Sequence, residues 1–596
     1  MYLSKYITGS YESSNIRIGY SRLKRSTPAL VSFMPSLLEL TPTGLAYVCI
    51  GGFVALFSSF SLFAREKAYI NEVVLATAFG VLTGPLCMGI FDPQSWAHES
   101  NRVTLEVMRV VLATGLFAIG ADLPKGYMHR HAKGLLAMVV PTMTIGWFVV
   151  AGLLKVIFHR FDYITCLVLA ACLTPTDPII SASVVGGEFA RKHVPSDIRH
   201  ILLAESAAND GLAYPFLSIS LYLVLEPDLR TVFQNWLIIG WFYEVILGTF
   251  IGAIIGYLFS RLMQFSRKRA FINHESYMVQ CLALAIFAMG VVNIMGSDDL
   301  LASFAAGYTF SLDGGFDDQL EDESISATST SAFVSAFASV IDYILNCGCF
   351  FYIGAWLPWE KFTSTDLGIN PWRLLVLCIG ILILRRIPAM LVLYRWVPEI
   401  KDKKEALFCG HFGPMGVGAI FISTLAKYRL PDPASPPETP QDILATALHP
   451  VVGFVVLISI IVHGLSIAFF TASKRVRKQT RQSTNDFRAH IRDGSTLESL
   501  SISRGRSTPA ATPQFGSVKR KAIPELIPST PNLSSAIGLL SEAEAESSTS
   551  NTPLVGLSEG RDDNTIVRDN YGPMDEAVGR LSMEIMTTRQ SIIEAQ

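Results

Sequence analysis

Charge is the first shortage. Only 16% of the 596 residues are Asp, Glu, Lys or Arg, against about a quarter in ordinary soluble domains. Polar residues gather after about Ala472, so the first three quarters of the chain are more apolar still. The formal net charge of −2 leaves no basic excess for gripping nucleic acid. Cysteine is sparse: all nine lie within or beside apolar runs, and none follows Cys409. No metal-ligand spacing occurs among them, Cys347-Gly348-Cys349 included, so they read as small packing residues. No cleavable signal peptide is evident, because residues 1–39 are mixed and polar and the first long apolar run begins near Leu45. These shortages exclude a soluble globular enzyme, a nucleic-acid binder and a disulfide-stapled secreted domain. No resident cofactor is expected.

What is abundant is long apolar sequence. About thirteen runs between Leu45 and Phe470 approach the length of a membrane-spanning helix, with Asp299–Leu312 the shortest. The chain therefore divides into an N-terminal extension (1–44), a transmembrane domain (45–471) and a Ser/Thr-rich tail (472–596) that cannot bury enough apolar surface to fold alone. Basic residues cluster after the odd-numbered runs, for example Lys401, Lys403 and Lys404, then Lys474, Arg475, Arg477 and Lys478. The positive-inside rule then places the tail in the cytoplasm. Ser/Thr-Pro and Arg-x-x-Ser-like sites in the tail suit phosphorylation or regulatory partners.

Two apolar runs carry charge where a bilayer penalises it. Ile201–Leu225 contains Glu205, Ser206, Asn209 and Asp210, and a carboxylate at membrane depth costs several kcal/mol unless it has a function or a partner. Ile164–Val185 is interrupted by Thr174-Pro175-Thr176-Asp177-Pro178, where two prolines free backbone carbonyls. Such unwinding is tolerated only against protein or a water-filled cavity. Asp210 is the leading candidate to bind either a proton or a cation; the alternative is a structural carboxylate paired to a base. Ser206 shares its helical face four residues earlier, and Thr176 offers a carbonyl, so Na+, Li+ or K+ at Asp210, Thr176 and Ser206 is the expected ligand set. Oxygen donors suit hard cations. Asp177 lies in the break, for which an ordinary proline kink is the alternative reading, and Asn209 is placed to orient Asp177 or the unwound chain.

The second half has a counterpart in Gly410-His411-Phe412-Gly413-Pro414-Met415-Gly416, which interrupts Ala406–Ala426. Paired Gly/Pro-interrupted apolar segments in corresponding halves mark inverted-repeat transporters with the site at the repeat interface. His411 is a candidate for pH tuning or a satisfied core histidine, and Asp122 a candidate for the cytoplasmic rim of a pathway. Arg385 and Arg386 sit inside ILILRRIPAML and need a carboxylate; Glu205 with Arg386 is the expected structural ion pair, Arg385 being the alternate. Glu106 and Arg109 are i, i+3 partners, while Glu244, Asp298 and Asp299 have no clear assignment.

At these residues the chain resembles the fungal plasma-membrane Na+(K+)/H+ antiporters of the monovalent cation/proton antiporter superfamily. The resemblance runs nearly continuously over Leu45–Phe470 through FAIGADLPKGY, TPTDPIISASVVGGEFA, LLAESAANDGLAYPF, DDLLASFAAGYTFSLDGG, LRRIPAMLVLY, EALFCGHFGPMGVGAIF and SIIVHG. It implies an all-α polytopic membrane protein with two crossed, broken helices in inverted repeats, a core domain and a dimer domain, and a homodimer. It also implies that Asp210 carries the cation or proton with Asp177, Thr176, Ser206 and Asn209 around it. Pro175 stands where the motif familiarly has Ala. The activity expected is export of Na+ or Li+, with K+ a further candidate, in exchange for H+, serving salt tolerance and pH homeostasis. An intramembrane aspartyl protease using Asp177 and Asp210 is the rival from another class, but its Gly-x-Gly-Asp signature is missing. A cation channel is the other, and no selectivity-filter sequence is present.

Overall fold

The computed structural model describes residues 41–64, 70–185, 188–269, 271, 274–312 and 329–494. Most of the N-terminal extension, the acidic stretch 313–328 and the tail from 495 onward lie outside the described residues. Among the described residues the fold is all helical, with one isolated β-bridge between Ser364 and Ile369.

In chain order the helices are α1 (Pro42–Leu62), α2 (Glu72–Thr83), α3 (Ser100–Asp122), α4 (Ala132–Ile157), α5 (Tyr163–Cys172), α6 (Pro178–Val185), α7 (Ser196–Gly211), α8 (Ala213–Leu225), α9 (Leu229–Lys268, with a π-helical stretch Trp236–Leu247), α10 (His274–Met295) and α11 (Asp299–Ser311). They continue with α12 (Ser329–Trp356), α13 (Pro371–Leu384), α14 (Ile387–Leu393), α15 (Lys403–His411), α16 (Val417–Tyr428) and α17 (Pro440–Gly494). Among the described residues, six helical segments are long and apolar enough to cross a bilayer, α13 and α14 together counting as one of them. Local chemistry fixes the ends. The side chains of Asn71, Asp162, Asp298, Asn370 and Asp402 each accept from a backbone N–H of the first turn that follows, the usual N-cap role.

Several expected single spans are divided. Ile164–Val185 becomes α5 and α6, and Ala406–Ala426 becomes α15 and α16, both at the Gly/Pro interruptions. Leu374–Tyr394, read as one span, breaks between α13 and α14 at Arg385-Arg386, because Pro388 has no N–H to return to the carbonyl four residues earlier. Pro215 has the same effect on Ile201–Leu225, where Leu212 separates α7 from α8. The helix expected over Ile70–Phe91 stops at Thr83, before Gly84-Pro85. At the other extreme α17 continues unbroken past Ala472, where the composition turns polar, to Gly494.

Small residues bring the helices close. On α9, Gly248, Gly252 and Gly256 meet residues 297–309, and at Gly252 and Gly256 a Cβ would overlap the backbone of Ala302 and Ala306 on α11. With little hydrophobic drive between helices in lipid, this close approach is what makes them adhere. The exposed surface is correspondingly apolar, with Phe250, Ile254, Leu258 and Leu262 of α9 among its members.

Candidate ion-binding site

Both broken helices leave unpaired backbone groups at the point where they cross, and the site is built from the residues that satisfy them. Asp177 serves the N-terminal ends. Its Oδ1 accepts from Ile180 N at 2.7 Å, capping α6, and its Oδ2 accepts from Val417 N at 2.5 Å, at the start of α16. Its own N–H donates to Pro414 O at 2.7 Å. One carboxylate thus ties the two breaks together.

Arg385 serves the C-terminal ends. Its guanidinium donates to Leu173 O at 2.6 Å, to Thr174 O at 3.3 Å and to Pro175 O at 3.4 Å, and also to Gly413 O. It is therefore not the alternate partner of Glu205. That place belongs to Arg386, whose two terminal nitrogens lie 2.6 and 2.9 Å from Glu205 Oε1 and Oε2 while its Nε donates to Cys409 O at 2.9 Å. Planar bidentate pairing of this kind is the strongest form of the contact, and Glu205 is fully buried.

Asn209 bridges the ion pair to the first break. Its Nδ2 donates to Thr176 Oγ1 at 2.7 Å and to Glu205 Oε1 at 3.0 Å, and its Oδ1 accepts from Thr176 N at 3.0 Å. Thr176 Oγ1 in turn donates to Ser206 Oγ at 3.0 Å, which lies 3.2 Å from Ser181 Oγ. Thr176, Glu205, Ser206 and Asn209 thus share one buried network, in which Asn209 orients the unwound chain at Thr176, while the side chain of Asp177 is engaged by backbone N–H groups instead.

Asp210 stands apart. It is 1% exposed, and neither carboxylate oxygen has a hydrogen-bond partner. It lies against Gly418 in the first turn of α16, where a Cβ would fall on its Oδ1. A deprotonated carboxylate so placed needs a proton or a cation, since burying the bare charge is prohibitive. The neighbouring charges are already committed: Arg386 to Glu205, Arg385 to carbonyls, Asp177 to backbone N–H groups.

The remaining candidates lie elsewhere. Asp122 is exposed at the C-terminal end of α3. His411 ends α15, with Nε2 3.3 Å from Ser466 Oγ on α17 and its ring 5.4 Å from that of His463. Glu106 pairs with Arg109 at 2.8 Å, and Arg109 Nε also lies 3.1 Å from Asp299 Oδ2. Asp298 caps α11, and Arg429 reaches Glu244 at 3.5 Å.

One set of positioning residues has little signature in the sequence. Ser459 Oγ accepts from Met415 N at 2.7 Å and lies 3.2 Å from His463 Nδ1, while His463 Nε2 lies 3.0 Å from His411 O. His463 Nδ1 also lies 2.9 Å from Ser459 O, so a ring proton on Nδ1 donates to that carbonyl and one on Nε2 donates to His411 O. The second break is thereby held by α17. The signal that pointed to them was SIIVHG, which carries Ser459 and His463 four residues apart and was singled out only as part of the family resemblance.

Residues 52–473 match the family model described as sodium/hydrogen exchanger, transmembrane. The chain is 40% identical over 490 residues to a probable Na(+)/H(+) antiporter of Schizosaccharomyces pombe, covering 79% of this chain and 63% of that protein. It is 37% identical to a Na(+)/H(+) antiporter of Saccharomyces cerevisiae, over 78% of this chain and 47% of the relative, and 36% identical to another Na(+)/H(+) antiporter of S. pombe, over 72% and 90%. The match thus spans about half to two thirds of the first two relatives. Among solved structures, the sodium proton antiporter MjNhaP1 of Methanocaldococcus jannaschii superposes with a TM-score of 0.52 at 18% identity, over 71% of this chain and 100% of that one; it shares the fold.

Proposed function

Because the chain belongs to the sodium/hydrogen exchanger transmembrane family, we propose that it is a secondary active antiporter, not an enzyme, exporting Na+ or Li+, and K+ as a further cargo, in exchange for H+. The observation that carries this reading is Asp210: a buried carboxylate with no partner at the crossing of two broken helices. A single carboxylate that holds either ion, but not both, couples the two fluxes. The Thr176 carbonyl and the Ser206 hydroxyl supply further hard oxygens for the cation, and Asn209 holds Thr176 in place. Asp177 and Arg385 keep the two breaks rigid while the ion exchanges.

A cavity of about 370 Å³ lies beside α7, lined by Ala208 and Leu212, by Leu135 and Val139 of α4, and by Leu301, Phe304 and Tyr308 of α11; its lining is mostly apolar and does not include Asp210. In this reading the six-helix core moves against a dimer domain in a homodimer of the plasma membrane, with the tail cytoplasmic and regulatory, and the physiological outcome is salt tolerance and pH homeostasis.

The test is proton flux from vesicles holding the purified protein under an imposed pH gradient, on addition of NaCl, LiCl, KCl or choline chloride. Wild type should dissipate the gradient with an alkali cation and not with choline, and Asp210→Asn should not respond. Cation flux without proton movement would replace the antiporter with a channel. Unchanged exchange in the variant would move the site to another carboxylate.

A further inference from the structure

The cavity beside α7 is closed at one end by a contact next to the ion site. There Gly211, the neighbour of Asp210, packs so tightly on α11 that a Cβ would meet Leu301 at 2.6 Å. Towards the start of α4 and the end of α11 the helices part. About 370 Å³ opens between α4 and α7 on one wall and α9 and α11 on the other. The second wall is the pair already seamed backbone to backbone at Gly252 and Gly256, so the gap separates α7 from a rigid unit.

Water is a poor occupant. The lining is mostly apolar, and its two threonines spend their hydroxyl protons on backbone carbonyls. Thr249 donates to Val245 O at 2.7 Å, and Thr309 lies 2.8 Å from Ala305 O and 3.0 Å from Ala253 O. The Tyr308 hydroxyl faces the backbone of Met128 at the rim. A buried water needs two to four polar partners, and the interior does not supply them. Nor is an empty gap favourable, since its walls would forfeit packing along their whole length. Lipid does have access. Leu136 and Val140 belong both to the lining and to the exposed apolar face of α4, which Phe148 continues two turns on. In a chain that spans the bilayer such a face meets acyl chains, which are as apolar as leucine. From Ala132 to Val140 the cavity follows α4 for about 12 Å of helical rise, against about 15 Å for one leaflet of hydrocarbon.

We propose that this cavity is a binding site for one acyl chain of a membrane phospholipid, which enters between Leu136 and Val140 and props α7 away from α11. The chain is selected by apolarity and by continuity with the lipid-facing surface. In the antiporter reading α7 carries Asp210 as it moves, so the gap empties and refills as its walls close and part. That coupling rests on the antiporter reading; the binding itself does not.

The experiment places full-length protein in vesicles of phosphatidylcholine bearing a photoactivatable diazirine on one acyl chain, and maps the labelled residues by peptide mass spectrometry. Leu135 and Phe304 are the reporters, because they are only 8% and 4% exposed and line the cavity. Phe250, exposed on the outer face of α9, is the control. Wild type should carry label at all three. Two separate variants, Ala253→Phe and Ala305→Phe, fill the cavity from α9 and from α11. Each should lose label severalfold at Leu135 and Phe304 and keep it at Phe250. Label confined to exposed residues in wild type, or undiminished at Leu135 and Phe304 in both variants, would overturn the proposal. In the proton-flux assay both variants should run severalfold slower than wild type, because the phenyl ring cannot leave as a chain can. Loss of label with wild-type flux would overturn the coupling. Wild type labelled in the cavity but moving no protons with any cation would sink the antiporter reading and leave the site standing. Normal exchange with no label in the cavity would sink this inference alone.

Discussion

At the scale of single residues the site separates two kinds of carboxylate. Glu205 is paired, buried and structural; removing its charge leaves Arg386 buried without a counterion. Glu205→Ala should therefore cost about 3–5 kcal/mol, read as a large fall in melting temperature of the detergent-solubilised protein. Glu205→Leu combined with Arg386→Met should recover most of that loss, since an apolar pair replaces an ion pair with little net change. Asp210 is the opposite case, and its glycine neighbours discriminate it from Asp177. A Cβ at Gly418 falls on the unrestrained Asp210 carboxylate, whereas one at Gly416 falls on Asp177, which two backbone N–H groups hold fixed. Gly418→Ala should reduce cation-dependent proton flux about tenfold or more while the melting temperature barely moves, because a free carboxylate can turn aside. Gly416→Ala should cost about 1–3 kcal/mol of stability through the hydrogen bonds it displaces. Equal melting losses in the two would show that Asp210 is as tightly held as Asp177.

Elements were legible in the sequence to the extent that their punctuation was local. TPTDP and GHFGPMG announce their breaks because proline and glycine act on their immediate neighbours. The break at Arg385-Arg386 was hidden inside a continuous apolar run, whose one proline, Pro388, was given no weight. The Glu205–Arg386 pair was legible because membrane charges demand partners and few were on offer. The task of Arg385 was not, because its acceptors are carbonyls from two segments far away in the chain, and carbonyls leave no trace in residue type. Close helix contact was equally silent, although Gly248, Gly252 and Gly256 recur every four residues on α9. That row yields a prediction at the scale of the element. Gly252→Leu must push α9 off α11, and overpacking of this degree costs about 1–3 kcal/mol or more. Gly51→Leu on α1, where a Cβ would meet nothing within 4 Å, should leave the melting temperature close to that of wild type. A similar loss in both would argue against the α9–α11 seam as the source.

For the whole molecule, the decisive property is competition. If one carboxylate carries both cargoes, proton and cation exclude each other, and the apparent affinity for the cation depends on pH by mass action alone. Over the range in which Asp210 is mostly protonated when empty, each unit rise in pH should lower the apparent KM for Na+ about tenfold, by linkage between the two ligands. The maximal rate need not follow, because it reports the movement of the loaded core. Above that range the KM should level off, since no proton remains to be displaced. The measurement is initial proton flux against Na+ concentration at a series of pH values, with the pH equal on both sides at the start. A KM that falls steeply and then flattens fits one shared site. A KM indifferent to pH, with only the maximal rate changing, would mean that proton and cation occupy separate groups, and the buried unpaired oxygens of Asp298 and Glu244 would be the next to test.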